Sequence, residues 1–171
     1  MPLIGGLNYI IYMNRPTSFI LDIYHQIIEG IEYLHRLQIV HLDIRFENIA
    51  SVLEYQASTD ARLVPGKLYL IDFGQSRQLA LGPGCQPAIV LPARQEDKPL
   101  ELTTFDPYSF DIYCVGKVMQ SMLLKRHSTQ RFQRQNFLGY LSGTRNGWYA
   151  KSASARPSAA VVRLHVERVK Y

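Results

Sequence analysis

The sequence has little that would send it out of the cell or into a membrane. Among its 171 residues only Cys85 and Cys114 are cysteines, and their spacing fits neither a zinc site nor a redox C-x-x-C pair. Two cysteines make no disulfide framework, so they are expected to be reduced thiols of an intracellular protein, cytoplasmic or nuclear. The opening MPLIGGLNYIIYM is apolar but lacks a basic n-region and a small-residue cleavage site, which argues against a signal peptide. No run is long and apolar enough to span a bilayer, so no membrane partner is expected. Lysine is absent before Lys67, and no five basic residues stand together. The formal charge of +5 is therefore scattered. Aromatic residues do not interleave with it as a nucleic-acid stacking platform requires, which leaves a basic nucleic-acid-binding module as the remote reading. The rest is ordinary globular composition, with 47% hydrophobic and 19% charged residues, enough for one domain with its own core.

Periodicity then orders the chain. Ile20, Ile23, Tyr24, Ile27, Ile28, Ile31 and Leu34 recur at three- and four-residue steps and predict a helix over about 17–37. Thr17 or Ser18 is the expected cap, with Asp22 near the positive end of the dipole. Residues 38–40 read as extended and 41–48 as a loop. Residues 49–53 and 68–71 are short strand candidates able to form a hairpin around a loop at 55–66 with a Pro65-Gly66 turn. Residues 80–107 are rich in proline and read as one long irregular segment. A helix is expected over 109–124, starting near Ser109 and Asp111. A basic stretch from Lys125 to Arg134 follows, then a Gly/Asn/Ser-rich loop over 142–155 and a last helix from Pro157 to about Lys170.

The chemistry concentrates in His41-Leu42-Asp43-Ile44-Arg45-Phe46-Glu47-Asn48 and in Asp72-Phe73-Gly74. Phosphoryl transfer from ATP needs a carboxylate near the attacking hydroxyl, oxygen ligands for Mg²⁺, and a cation on the transferring phosphate. Asp43 is the candidate base, Asn48 and Asp72 are candidate Mg²⁺ ligands with hard oxygens, and Arg45 is a candidate cation. The first segment resembles the catalytic loop H-R-D-L-K-x-x-N of eukaryotic-type protein kinases, and the second matches their D-F-G. The basic residue two places after Asp43 follows the serine/threonine style of that loop, with Arg45 where Lys is usual.

That resemblance implies a protein kinase-like α+β fold, here a mainly α-helical C-terminal lobe with a small β-hairpin, over one unit spanning 1–171. It implies ATP and Mg²⁺ as cofactors and a protein substrate or partner protein. His41, Phe73 and Gly74 would support the site. Asp111, in Asp111-Ile112-Tyr113-Cys114-Val115-Gly116, would hydrogen-bond the catalytic-loop backbone. Glu101, in Pro99-Leu100-Glu101, would pair with Arg156, in Ala155-Arg156-Pro157-Ser158-Ala159. Leu42 stands where the family usually has Arg, which implies that activation-loop phosphorylation is not read out there. The first forty residues contain no G-x-G-x-x-G and no lysine. The expectation is a truncated kinase domain without its N-terminal lobe, with weak or no activity of its own. The alternative reading is a pseudokinase-like C-lobe acting as a protein-interaction module.

Overall fold

The computed structural model describes residues 5–7, 16–91 and 103–126. The expected contact between Glu101 and Arg156, most of the basic stretch at 125–134 and the helix from Pro157 lie outside these residues. The described chain runs β1 (Gly5–Gly6), α1 (Thr17–Arg36), β2 (Ile39–Val40), β3 (Ile49–Ser51), a short α2 (Glu54–Ala57), β4 (Leu68–Leu70), β5 (Arg77–Gln78), β6 (Ile89–Val90), β7 (Thr104–Phe105) and α3 (Pro107–Arg126).

Helix α1 forms where the apolar spacing predicts it. Ile20, Ile23, Tyr24, Ile27, Ile28 and Ile31 are all buried, and Leu34 packs against the same core from its half-buried position. The start differs from expectation. Pro16 occupies the cap position without a side-chain cap bond, and Asp22 lies beyond the first turn. Thr17 is the first residue of the helix itself and not the cap position. At the other end Gln38 takes a left-handed backbone with φ 58. Its N–H donates to the His35 carbonyl, which closes the helix, and its carbonyl accepts from Leu79 N.

Helix α3 starts two residues before the sequence suggests. Asp106 Oδ1 accepts from Ser109 N at 2.6 Å, and Pro107 fills the first helical position, where a missing N–H costs nothing. Burial runs nearly all the way round this helix. Over residues 107–122, where side chains are described, Phe110, Ile112, Cys114, Val115, Val118, Met119 and Met122 are enclosed, and only Tyr113, Lys117, Gln120 and Ser121 form a half-exposed strip. A helix apolar on most sides sits inside a domain. Tyr24 of α1 donates its hydroxyl to the Met119 carbonyl at 3.1 Å, joining the two long helices.

The expected hairpin is present and gains a third strand. The order is β1-β3-β4, all antiparallel, with Ile49 opposite Leu70 and Gly6 opposite Ala50. Between β3 and β4, the loop expected at 55–66 contains α2. Gln56 Oε1 accepts from Leu53 N at 2.8 Å and fixes that turn. Two further ribbons were not legible: β2 with β5, and β6 with β7. The segment from residue 80 is thus not wholly irregular, because its described ends pair with one another.

Gly30 lies in the middle of α1, where glycine costs about 1 kcal/mol relative to alanine. A Cβ there would meet only the Leu70 side chain, at 3.4 Å. Gly30→Ala is therefore expected to stabilise the fold by about 0.5–1 kcal/mol, read as a melting temperature higher by about 2–4 °C. A lower melting temperature would mean that Leu70 cannot yield.

Candidate active site

The site is organised from beneath by a carboxylate on α3. Asp111 is fully buried, in the second turn of that helix. Its Oδ2 accepts from His41 N and its Oδ1 from Leu42 N, each at 2.8 Å. A third donor, His35 Nε2, reaches Oδ2 at 3.0 Å from the last turn of α1. A carboxylate only accepts when ionised, so three N–H groups fit within its capacity of about four. The two backbone bonds hold Leu42 in a left-handed conformation, φ 62, with its side chain fully buried. Such a backbone costs about 1–3 kcal/mol in a residue other than glycine and persists only where its surroundings fix it. The next residue is Asp43, so the bend at Leu42 sets the direction in which Asp43 leaves the core.

Asp43 is half-buried and held by Asn48. The Asn48 amide donates to the Asp43 carbonyl and to Asp43 Oδ2, both at 2.8 Å. Both amide hydrogens are thereby used toward Asp43, and Asn48 Oδ1 remains an acceptor in a residue that is otherwise buried. Arg45 Nε lies 3.6 Å from Asp43 Oδ1, an ion-pair distance too long for a hydrogen bond, and its side chain is 39% exposed.

The segment carrying Asp72 is stitched to this loop. Ile71 N donates to the Asn48 carbonyl at 3.0 Å, one step beyond the β3–β4 register. His41 Nε2 meets the Ile71 carbonyl at 3.1 Å, and Asp43 N donates to His41 Nδ1 at 3.3 Å. A carbonyl can only accept, so Nε2 carries the ring proton in this arrangement. Ser76 Oγ donates to the His41 carbonyl at 3.1 Å. The Phe73 ring lies 4.8 Å from the His41 ring and is 46% exposed. Asp72 is left-handed, φ 62, and solvent-exposed. Its Oδ1 accepts only a long bond from Gly74 N, at 3.4 Å, and a Cβ on Gly74 would press on that oxygen at 3.2 Å.

Among the predicted site residues, His41, Asp43, Arg45, Asn48, Asp72, Phe73, Gly74 and Asp111 fall into this one stitched region. Glu101 and Arg156 lie outside the described residues. Sequence reasoning missed His35, Ser76 and Tyr108. His35 had a visible signal, since it continues the Ile28–Ile31 face of α1 as a polar residue and is only 5% exposed. Tyr108 packs edge-on against His35, with ring centroids 4.9 Å apart, and donates its hydroxyl to the Leu81 carbonyl at 2.7 Å. Burial pushes the Tyr108 pKa up from its ordinary value, and Asp106 and Asp111 add to the rise, so the hydroxyl stays a donor.

The donor set fits a divalent hard cation held with phosphates. Asn48 Oδ1 and the Asp72 carboxylate are oxygens with capacity left, and Mg²⁺ usually takes one or two carboxylates with phosphates and waters. No group of three or more His, Cys, Asp or Glu side chains among the described residues could cage a metal on its own. No described helix is long and apolar enough to cross a membrane.

Comparison with known proteins gives a consistent picture. The protein kinase domain family matches residues 12–145, well over half of the chain. Serine/threonine-protein kinase CAK1 of Saccharomyces cerevisiae is 42% identical over 64 residues, covering 37% of this chain and 16% of the yeast protein. The smooth-muscle myosin light chain kinase of Gallus gallus is 34% identical over 95 residues, 54% of this chain and 4% of its own length. The chain thus spans a small part of each of these relatives.

Proposed function

The chain belongs to the protein kinase domain family, and from that premise we propose that it carries the phosphate-handling floor of a protein serine/threonine kinase. The described helices and short antiparallel ribbons are read as the C-terminal lobe of that fold. The observation that carries the proposal is the Asp43–Asn48 pair, joined through Ile71 to the exposed Asp72. In this reading Asp43 orients the acceptor hydroxyl and takes its proton, while the Asn48 amide holds the carboxylate in place. Arg45 faces the transferred phosphate. Asn48 Oδ1 and Asp72 would hold Mg²⁺, which would neutralise charge on the phosphates of ATP, the source of the phosphoryl group. Arg45 two places after Asp43, and relatives named as a serine/threonine-protein kinase and a myosin light chain kinase, support a protein hydroxyl as acceptor.

The test is transfer of labelled γ-phosphate from Mg-ATP to a protein acceptor, followed by phosphoamino-acid analysis. Label on serine or threonine that disappears with EDTA supports the reading, and weak transfer is expected of these 171 residues alone. Thermal unfolding gives the binding arm: ATP at about 100 times its Kd stabilises by about 2.7 kcal/mol, and Asp72→Asn is expected to remove the Mg²⁺-dependent part. Binding without transfer would favour a nucleotide-sensing or protein-interaction module. Neither binding nor transfer would overturn the reading.

A further inference from the structure

Asp111 does more than close the catalytic loop, because its third bond leads elsewhere. His35 Nε2 holds Oδ2, the oxygen that also accepts from His41 N. The His35 ring is fixed in turn by the edge of Tyr108, at an interplanar angle of 82°. The Tyr108 hydroxyl ends on the Leu81 carbonyl, in the segment that leaves β5. That segment is itself shaped. Cys85 N and Gln86 N both donate to the Gly82 carbonyl, and Gly84 has φ +82. The path therefore runs from Leu81 to Tyr108, His35, Asp111 and the amides of His41 and Leu42. Tyr108, His35 and Asp111 along it are all buried.

We propose that Tyr108 and His35 act together as positioning residues, coupling the segment that follows Asp72-Phe73-Gly74 to the backbone of the catalytic loop. The physical ground is satisfaction of buried polar groups. When Leu81 moves, the Tyr108 hydroxyl loses its acceptor at a part-buried bond, and the buried ring is free to shift with it. A shift of the ring removes the surface against which His35 is aligned, and the Asp111 carboxylate then keeps two donors in place of three. Leu42 has a disfavoured backbone with Asp111 holding its amide, so it responds first. The inference rests on the kinase reading for the role of Asp43, but its test is read without phosphate transfer.

Hydrogen–deuterium exchange of the whole chain provides the measurement, with the amides of residues 23–31 in α1 as the internal standard. Tyr108→Phe keeps the ring and drops the hydroxyl. It is expected to speed exchange about fivefold over residues 79–82 and about threefold at His41 and Leu42, with the standard unchanged. His35→Leu is expected to speed exchange at His41 and Leu42 about tenfold, and His35→Gln, which again presents an N–H, is expected to stay within about twofold of the unaltered chain. An effect of Tyr108→Phe confined to residues 79–82 would overturn the coupling. Equal loosening of α1 and the catalytic loop, or failure of His35→Gln to restore protection, would reduce both residues to packing. If His35→Leu does not fold, Tyr108→Phe decides alone by whether His41 and Leu42 loosen selectively. In a chain that transfers phosphate, Tyr108→Phe is expected to lower kcat while leaving KM for ATP unchanged. Absence of transfer counts against the catalytic reading and leaves the exchange result intact.

Discussion

Asp111→Ala is expected to destabilise the fold by about 3–5 kcal/mol, because it strands two backbone N–H groups and the His35 N–H in a closed interior. Each buried donor left without an acceptor costs about 1–3 kcal/mol, and the small cavity returns part of that if water enters. Against a total stability of about 5–15 kcal/mol the loss is large. Thermal unfolding should show a melting temperature lower by about 10 °C. Asp111→Asn should fall between the two, since it keeps one acceptor and turns an N–H₂ toward groups that also donate. A melting temperature for Asp111→Ala within about 1 °C of the unaltered chain would mean that the three bonds contribute nothing net.

The second large effect separates chemistry from stability. Asp43→Asn is expected to lower phosphate transfer by about 10²–10⁴-fold, the usual worth of a positioned base. The substituted amide still offers one oxygen to the Asn48 Nδ2 donor, and the residue is half-buried, so the melting temperature should move little. KM for ATP should also stay near its original value, because Asp43 faces the acceptor hydroxyl in the proposed arrangement. A rate unchanged by Asp43→Asn would remove Asp43 from the mechanism while leaving the fold assignment untouched. A rate lost together with the fold would instead mark Asp43 as a structural residue.

These two aspartates illustrate what could be read in advance. That Asp43, Asn48 and Asp72 belong together was expected from motif spacing, and the structure joins the segments that carry them. The stripe of α1 was legible because burial on one face writes a helical period into the sequence. The ribbons β2–β5 and β6–β7 were not, since a two-residue strand has no period and exists only through its distant partner. The start of α3 was misplaced because Asp106 and Pro107 looked like the end of a loop rather than a cap and a first turn. His35 and Tyr108 were passed over for a related reason. Their roles lie in bonds to Asp111 and Leu81, and nothing next to them in the chain announces either one.

The Asp111 anchor also bears on the order in which the molecule takes shape. Its partners His35, His41 and Leu42 stand 76, 70 and 69 residues earlier in the chain. Contacts so far apart carry a heavy loop-closure cost and form late unless other structure has drawn their ends together. During synthesis, α1 and the β3–β4 hairpin can emerge and pair before residue 111 has left the ribosome. The left-handed turn at Leu42 has no carboxylate to hold it at that stage. A nascent chain ending short of residue 111 would already contain Asp43, Arg45, Asn48 and Asp72, but the bend at Leu42 that directs Asp43 would lack its anchor until α3 packs beneath it.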